Sequence, residues 1–196
     1  MLIIYLLYIY CVNVYLKYYS MKEILPFYDF LGSVYKGTNI SELKEALDSI
    51  IYQSLSPKNV FIVIDGYIPK EVDTCLKEYK KKLPLNLIKL ENNLGLGLAL
   101  RAGLQKCESK IILRFDTDDI NLKNRAYIQV KEIVNSNVDI IGSQIYEFIS
   151  DPNECFTTKF MPLNHSQIKR QIIYRNPINH PTVAFLRESI INLKGG

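Results

Sequence analysis

The stretch Ile111-Ile112-Leu113-Arg114-Phe115-Asp116-Thr117-Asp118-Asp119 joins an apolar run to three carboxylates that crowd into four residues. The apolar run is typical of a buried strand, so the carboxylates stand at its carboxyl end. Side chains alternate along an extended segment, so Asp116 and Asp118 point the same way and Asp119 points away or begins the next turn. Such close carboxylates repel one another, and a hard cation such as Mg²⁺ or Mn²⁺ would neutralise them. The alternative is a strand-to-helix loop with an aspartate helix cap.

Apolar segments and helical patterns alternate from residue 30 up to this stretch. We predict strands at 30–35, 59–64, 86–90 and 110–115, and helices at 41–53, 69–82 and 96–107. Four strands alternating with helices predict an α/β fold, in which a mostly parallel sheet has helices on both faces. Ligands of such sheets bind at the carboxyl ends of the strands.

Polar side chains follow each of the four predicted strands at that end. They are Lys36, Asp65, Asn93 and the run from Asp116 to Asp119. Because the carboxyl ends of parallel strands meet at one edge, we expect these side chains to line one site.

The pattern is looser beyond residue 120. We predict helices at 124–134, 165–174 and 188–193, and strands at 138–149 and 182–186. Between residues 176 and 181, two prolines stiffen a loop that contains His180. We favour packing or capping as the role of this histidine over a ligand-facing role.

Length and composition are those of one soluble globular domain, with 196 residues, 48% hydrophobic and 22% charged. The net charge of +4 is too small and too scattered to indicate a nucleic-acid partner. The four cysteines are far apart and have no neighbouring histidine, so we expect reduced thiols, with neither a zinc site nor disulfides. A cytoplasmic protein is the simplest expectation, and peripheral association with the inner face of the plasma membrane stays open.

The first 20 residues form an apolar extension, in which Lys17 is the first charged residue. The extension is barely long enough to cross a bilayer and lacks the features of a signal peptide. It is a short membrane anchor, an additional apolar element, or translated upstream sequence before a start at Met21. We favour the last alternative, which makes residues 21–196 the domain.

Other site motifs are missing from the sequence. The segment from Gly95 is not a dinucleotide fingerprint, because Leu100 stands at the third glycine position. The run Tyr35-Lys36-Gly37-Thr38 is a poor version of a phosphate-binding loop, and no Gly-x-Ser-x-Gly turn is present.

Taken in order, several short motifs resemble those of family-2 nucleotide-sugar glycosyltransferases of the GT-A fold, in the branch that builds exopolysaccharides such as amylovoran. The resemblance extends from Phe30 to Gly196. It rests on Ser33-Val34-Tyr35-Lys36, Val63-Ile64-Asp65-Gly66, Asn93-Leu94-Gly95 with the helix through Ala99 to Gly103, Arg114 to Asp119, Asn124-Arg125 with Gln129, and Asn176 to Val183.

This resemblance implies roles for residues around the nucleotide. Asp65 would accept a hydrogen bond from the base, usually uracil, and Tyr35 would flank that base. Asn93 and Gly95 would shape the wall beside the nucleoside. The donor would then be a nucleoside-diphosphate sugar, with UDP as the nucleotide.

It also implies roles in the acidic run. Asp118 would ligate Mg²⁺ or Mn²⁺, Asp116 would lie beside the ribose and the metal, and Asp119 would position the donor sugar. Arg125 would either stabilise the acidic loop or reach the diphosphate.

The implied reaction is metal-dependent, inverting transfer of the sugar to a glycan or lipid-linked acceptor in bacterial surface polysaccharide synthesis. In this family the general base usually lies downstream of the Gly-Gly turn, and the sequence ends at Gly195-Gly196. We therefore expect the base and the acceptor side to lie beyond Gly196. Two alternatives remain open: an inactive or partner-dependent nucleotide-sugar-binding fragment, and a nucleotidyltransferase.

Overall fold

A computed structural model describes residues 25–149, 154 and 156–193. In its first half, strands and helices alternate as predicted. They are β1 (Tyr28–Val34), α1 (Ile40–Ile51), β2 (Asn59–Asp65), α2 (Lys70–Tyr79), β3 (Leu85–Leu90), α3 (Leu96–Lys106) and β4 (Ile111–Arg114). These four strands are parallel and lie in the order β3-β2-β1-β4.

The second half completes the sheet at its β4 edge. Its elements are α4 (Arg125–Ser136), β5 (Ile140–Ile141), β6 (Ile145–Glu147), β7 (Thr157–Lys159), α5 (His165–Gln171), a 3₁₀ turn (His180–Thr182), β8 (Ala184–Leu186) and α6 (Arg187–Ile191). Strand β8 runs antiparallel to β4, and β5 pairs with β8, so the described sheet has the order β3-β2-β1-β4-β8-β5.

The prediction of one long strand at 138–149 is wrong. Strand β5 belongs to the main sheet, whereas β6 pairs with β7 in a separate two-stranded sheet. The chain leaves the first pairing because the Ser143 amide donates to Thr182 Oγ1 at 2.9 Å. At Gly142 a Cβ atom would lie 2.5 Å from Ile178 Cγ2, so only glycine fits this close passage.

Two apolar cores lie on opposite faces of the sheet, as alternation along the strands requires. On one face, side chains such as Phe30 and Ile62 pack with α1, α2 and α4. On the other, Leu31 and Val63 pack with α3 and α6. The prediction of a mostly parallel sheet with helices on both faces is confirmed.

A buried aspartate at the amino edge of the sheet fixes the entry into β4. The Asp29 side chain has no exposed surface, and its Oδ2 accepts from the amides of Glu108 and Ser109, both at 2.8 Å. Its Oδ1 accepts from Ser109 Oγ at 2.7 Å and from Asn59 Nδ2 at 3.1 Å. Four hydrogen bonds offset the desolvation of this carboxylate.

Two of the cysteines, Cys75 and Cys107, are buried free thiols, and burial raises the pKa of Cys107 to about 12. The other two, Cys11 and Cys155, lie outside the described residues, as do the extension 1–20 and Gly195-Gly196. Within the described part of the chain, the helices are too short or too polar to cross a bilayer.

Candidate functional site

The residues that the sequence predicts to form a site lie at the carboxyl ends of three neighbouring strands, β2, β1 and β4. Asp65 is the last residue of β2, and the acidic run begins two residues after the end of β4. Strand β1 lies between them and pairs with both. Neighbouring strands are about 4.8 Å apart, so β2 and β4 are separated by roughly 10 Å. Asp65 and the acidic run are therefore on the same edge of the sheet.

Asp65 organises the loop that leads into α3. The side chain is buried, and its Oδ1 and Oδ2 accept from the amides of Leu94 at 2.7 Å and Gly95 at 3.0 Å. Asn93 Nδ2 returns a hydrogen bond to the Asp65 carbonyl at 3.1 Å. A carboxylate oxygen has a second acceptor position, so Asp65 keeps the capacity for one more donor. Sequence reasoning assigned this residue to the nucleotide and missed its hold on the loop.

Tyr35 presents an aromatic ring at the same edge. It follows β1 directly and is 49% exposed. A tight turn fixes its backbone, because the Tyr35 amide donates to Thr38 Oγ1 at 3.0 Å and the Thr38 amide donates to the Tyr35 carbonyl at 3.1 Å. The ring packs over Gly37, where a Cβ atom would come within 2.6 Å of it.

The acidic run gathers three carboxylates into one cluster. One oxygen each from Asp116, Asp118 and Asp119 lie within 4.8 Å of one another. Partial withdrawal from water and the charges of Asp118 and Asp116 together raise the pKa of Asp119 to about 6. The three carboxylates repel one another, and their oxygens are the ligands that hard divalent cations prefer. The cluster therefore fits a cation such as Mg²⁺ or Mn²⁺.

Arg114 is a charged residue of the site to which sequence reasoning gave no role of its own. It is only 3% exposed, and its two terminal nitrogens donate to the two oxygens of Asp116 in a bidentate pair. Its Nε is buried and has no partner among the described residues. The signal was present in the sequence, because residues two apart on a strand share a face.

All three guanidinium nitrogens of Arg125 donate to groups of the protein. Its Nε donates to Gln129 Oε1 at 3.0 Å, one terminal nitrogen donates to the Arg114 carbonyl at 2.7 Å, and the other donates to Asn121 Oδ1. Burial and the charge of Arg114 lower its pKa to about 10, so the side chain stays charged at neutral pH. Of its two expected roles, this arrangement favours stabilisation of the acidic loop.

Buried polar side chains of α1 and of the residues just after it form hydrogen bonds with the segment that follows the acidic run. Gln53, just past the end of α1, donates to the Leu122 carbonyl at 3.0 Å and accepts from the Ala126 amide at 3.0 Å. Ser49 Oγ accepts from the Asn121 amide at 3.0 Å. No sequence pattern identified these residues, because a single serine in a helix or a single glutamine just after it does not indicate which segment its side chain will bind.

The loop 176–183 is tied to the same framework. Gln129 Nε2 donates to the Thr182 carbonyl at 2.7 Å, and the Arg114 amide donates to the Val183 carbonyl at 2.9 Å. Asn179 Nδ2 donates to the Ser143 carbonyl at 3.2 Å. These bonds place the loop directly beside the acidic run.

A largely apolar groove of about 720 Å³ opens on the α3 and α6 face of the sheet. Leu31, Leu104 and Phe185 contribute to its apolar lining, and Arg114 and His180 add the polar part. His180 is partly exposed and lines this groove, so it does not pack in the core, and a ligand-facing role for it stays a prediction. Partial burial and the charge of Arg114 lower its pKa.

Curated relatives of the chain are named as glycosyltransferases. A galactosyltransferase of Escherichia coli, named UDP-Gal:alpha-D-GlcNAc-diphosphoundecaprenol beta-1,3-galactosyltransferase, is 32% identical over 89% of the chain. The amylovoran biosynthesis glycosyltransferase AmsE of Erwinia amylovora is 31% identical over 84% of the chain. The chain spans 64% and 62% of the lengths of these two relatives.

Solved structures share the fold. Staphylococcus aureus TarS 1-349 in complex with UDP matches 85% of the chain and 48% of its own length, with a TM-score of 0.65 and 19% identity. The mannosyltransferase PcManGT of Pyrobaculum calidifontis, in complex with GDP-Man and Mn²⁺, matches 88% of the chain and 48% of its own length, with a TM-score of 0.62 and 15% identity.

The family model for glycosyl transferase family 2 matches residues 34–193, a range that includes Tyr35, Asp65, the acidic run and the loop 176–183. Sequence motifs, fold and relatives agree, and the chain belongs to glycosyl transferase family 2.

Proposed function

We propose that this chain binds a nucleoside-diphosphate sugar at the carboxyl edge of its sheet and transfers the sugar in bacterial surface polysaccharide synthesis. One observation carries the proposal: Asp65 with its loop and the acidic run after β4 lie on the same edge, on either side of β1. A nucleoside diphosphate needs one group that binds its base and a second that holds a cation to neutralise its diphosphate.

The donor is UDP-linked in this proposal. The free acceptor position of Asp65 suits the imide N–H of uracil, because hydrogen bonds to a carboxylate are strong. The exposed ring of Tyr35 flanks the base, and Asn93 and Gly95 form the wall beside the nucleoside. The relatives support this choice, since one is named for UDP-Gal and TarS was solved with UDP.

Asp118 and Asp116 would hold a Mg²⁺ or Mn²⁺ ion, and Asp119 would position the donor sugar. When bound, the cation acts as a Lewis acid that stabilises the charge of the departing diphosphate. Arg125 keeps the acidic loop in place through the Arg114 carbonyl. This arrangement is supported by the spacing of the three carboxylates, whose oxygens are close enough to share one ion.

The acceptor is a glycan or a lipid-linked sugar whose hydroxyl attacks from the face opposite the leaving group, which inverts the anomeric centre. We assign no general base within residues 25–193. A lipid-linked acceptor suits a cytoplasmic protein at the inner face of the plasma membrane.

A second candidate is a nucleotide-sugar-binding protein that depends on a partner for turnover. It is favoured because the residues assigned above all serve the donor and its cation, and none of the described residues is assigned as a general base. Sugar transfer by the purified chain, at rates typical of glycosyltransferases, would eliminate this candidate.

Titration of UDP with and without Mn²⁺, on the wild type and on Asp118→Ala, tests the proposal. We expect Mn²⁺ to tighten UDP binding in the wild type and to have no such effect in Asp118→Ala. Asp139→Ala removes an exposed aspartate at the amino end of β5 and serves as the control that keeps the metal effect. If the wild type binds UDP with the same affinity with and without Mn²⁺, the proposal is contradicted. Tighter binding of UTP than of UDP would point to a nucleotidyltransferase.

A further inference from the structure

The bidentate pair between Arg114 and Asp116 bears directly on how a cation enters the acidic cluster. Both oxygens of Asp116 accept from the Arg114 guanidinium, and Asp116 is also one of the three carboxylates close enough to share an ion. A cation that binds Asp116 must therefore share or replace the guanidinium. The inference rests on the cation site proposed above.

Arg114 cannot escape to water when its partner is taken. Its side chain is 4% exposed, against 30% for Asp116. Its backbone is held on both sides, since its amide donates to the Val183 carbonyl at 2.9 Å and its carbonyl accepts from Arg125 at 2.7 Å. A buried guanidinium that loses its counter-ion keeps the full cost of desolvation.

The third guanidinium nitrogen of Arg114, Nε, shows that the side chain depends on Asp116 for its hydrogen bonds. Its Nε is buried without a partner in the described part of the chain, so its side-chain hydrogen bonds there all go to Asp116. The two other carboxylates of the cluster, Asp118 and Asp119, are exposed. An arriving ion therefore meets Asp118 and Asp119 before it meets Asp116.

We propose that Arg114 is a positioning residue that keeps Asp116 paired with the guanidinium until a divalent cation is bound by Asp118. Asp116 then changes partner, from the guanidinium to the ion. The pair keeps Asp116 in a fixed rotamer in the metal-free protein, and it makes cation binding weaker than the three carboxylates alone would allow. Arg114 thus sets the affinity of the site for its metal.

The test is a double-mutant cycle on the affinity of the full chain for Mn²⁺ without nucleotide, read from the electron paramagnetic resonance signal of free Mn²⁺. The four proteins are the wild type, Arg114→Gln, Asp116→Asn and the double variant. We expect Arg114→Gln to tighten Mn²⁺ binding about tenfold in the wild-type background, because the competitor for Asp116 is gone. In the Asp116→Asn background the same change should tighten binding by about threefold or less, which is the general effect of removing a nearby positive charge.

Arg101→Gln is the matched control. Arg101 is an exposed arginine of α3 that lines the apolar groove, as Arg114 does. Its substitution therefore measures only the general effect of removing a positive charge. We expect it to change the Mn²⁺ affinity by about threefold or less in both backgrounds.

Arg114→Lys provides a second variant in case the glutamine does not fold. Lysine keeps the charge but cannot form the two-pronged contact, so Mn²⁺ binding should still tighten, by a smaller factor than with glutamine. Equal effects of the Arg114 substitutions in both backgrounds, or weaker Mn²⁺ binding by folded Arg114 variants, would overturn the inference and leave the proposed function intact. Absence of Mn²⁺ binding by the wild type would overturn both.

Discussion

The Asp65 carboxylate accepts a hydrogen bond from the Gly95 amide at 3.0 Å, and this bond connects the end of β2 to the residue that precedes α3. Leu94 donates to the other oxygen of the same carboxylate. One buried side chain therefore shapes the loop that borders the proposed nucleotide site. Its substitution should affect binding and stability together.

We expect Asp65→Asn to weaken UDP binding by at least about tenfold and to cost about 2 kcal/mol of unfolding free energy. The amide group keeps one acceptor but places an NH₂ donor against a loop N–H, so one buried donor loses its partner. Titration of UDP and urea denaturation measure the two effects. Glu91→Gln, at an exposed residue just before the loop, is the control and should change neither. Retention of wild-type UDP affinity by folded Asp65→Asn would contradict the assigned role.

Gly66 is a position where glycine is required. Its φ is 78°, and a Cβ atom would lie 2.6 Å from the Asn93 amide nitrogen. We expect Gly66→Ala to lower the unfolding free energy by about 2 kcal/mol, through backbone strain and displacement of the loop. The matched control is Gly97→Ala in α3, where nothing lies within 4 Å of the added Cβ. That change should be neutral or stabilise by up to about 1 kcal/mol, as helix propensity predicts. Equal unfolding free energies for the two variants would contradict the expectation.

The raised pKa of Asp119 makes stability depend on pH. Because the pKa is about 6 in the folded protein, against an ordinary value of 3.8, folding favours the protonated carboxyl. This contribution is fully present below pH 3.8 and is lost as the pH rises through about 6. Without a divalent cation, Asp119→Asn should therefore be more stable than the wild type at pH 7.5, by about 1 kcal/mol after screening by solvent.

Denaturant titrations at pH 3.5 and pH 7.5 check this prediction, and the difference between the two proteins should disappear at the lower pH. Saturating Mn²⁺ should reverse the order at pH 7.5, because the wild type gains more from the ion than the variant does. A wild type that is more stable than the variant at pH 7.5 without metal would show that burial and the neighbouring charges do not disfavour the ionised Asp119 carboxylate.

Asp29 lies near the amino end of β1, at the opposite edge of the sheet from the proposed site. Asp29→Ala removes a buried acceptor of four hydrogen bonds, so it should cost about 4 kcal/mol of unfolding free energy. Ser109→Ala removes only one of these donors and should cost about 1 kcal/mol. Urea denaturation measures both. UDP binding by the folded fraction should be unchanged in each variant, and a weakened affinity in Ser109→Ala would mean that the two edges are coupled.

Much of the fold was predictable because its signals are local. The apolar run from Val60 to Ile64 predicts a strand that is covered on both faces, and the structure buries all five residues. The edge of the sheet at which the proposed site residues lie was predictable for a similar reason. A carboxylate that follows a buried parallel strand, such as Asp65 or Asp116, must emerge at the carboxyl edge.

Residues 138–149 show where local signals fail. Their apolar content predicts one strand, but a hydrogen bond from Ser143 to Thr182 and the close passage of Gly142 past Ile178 divide them between two sheets. Both contacts join segments that are more than 30 residues apart, so no local pattern contains them.

The sequence by itself determined the alternation of strands and helices, the edge that carries the site and the residue types available there, because periodicity and strand ends are properties of neighbouring residues. Only the tertiary structure decided how the charges are partnered. It paired Arg114 with Asp116, turned Arg125 inward and exposed His180 in the groove, because the cost of burying a charge depends on which side chains folding brings around it.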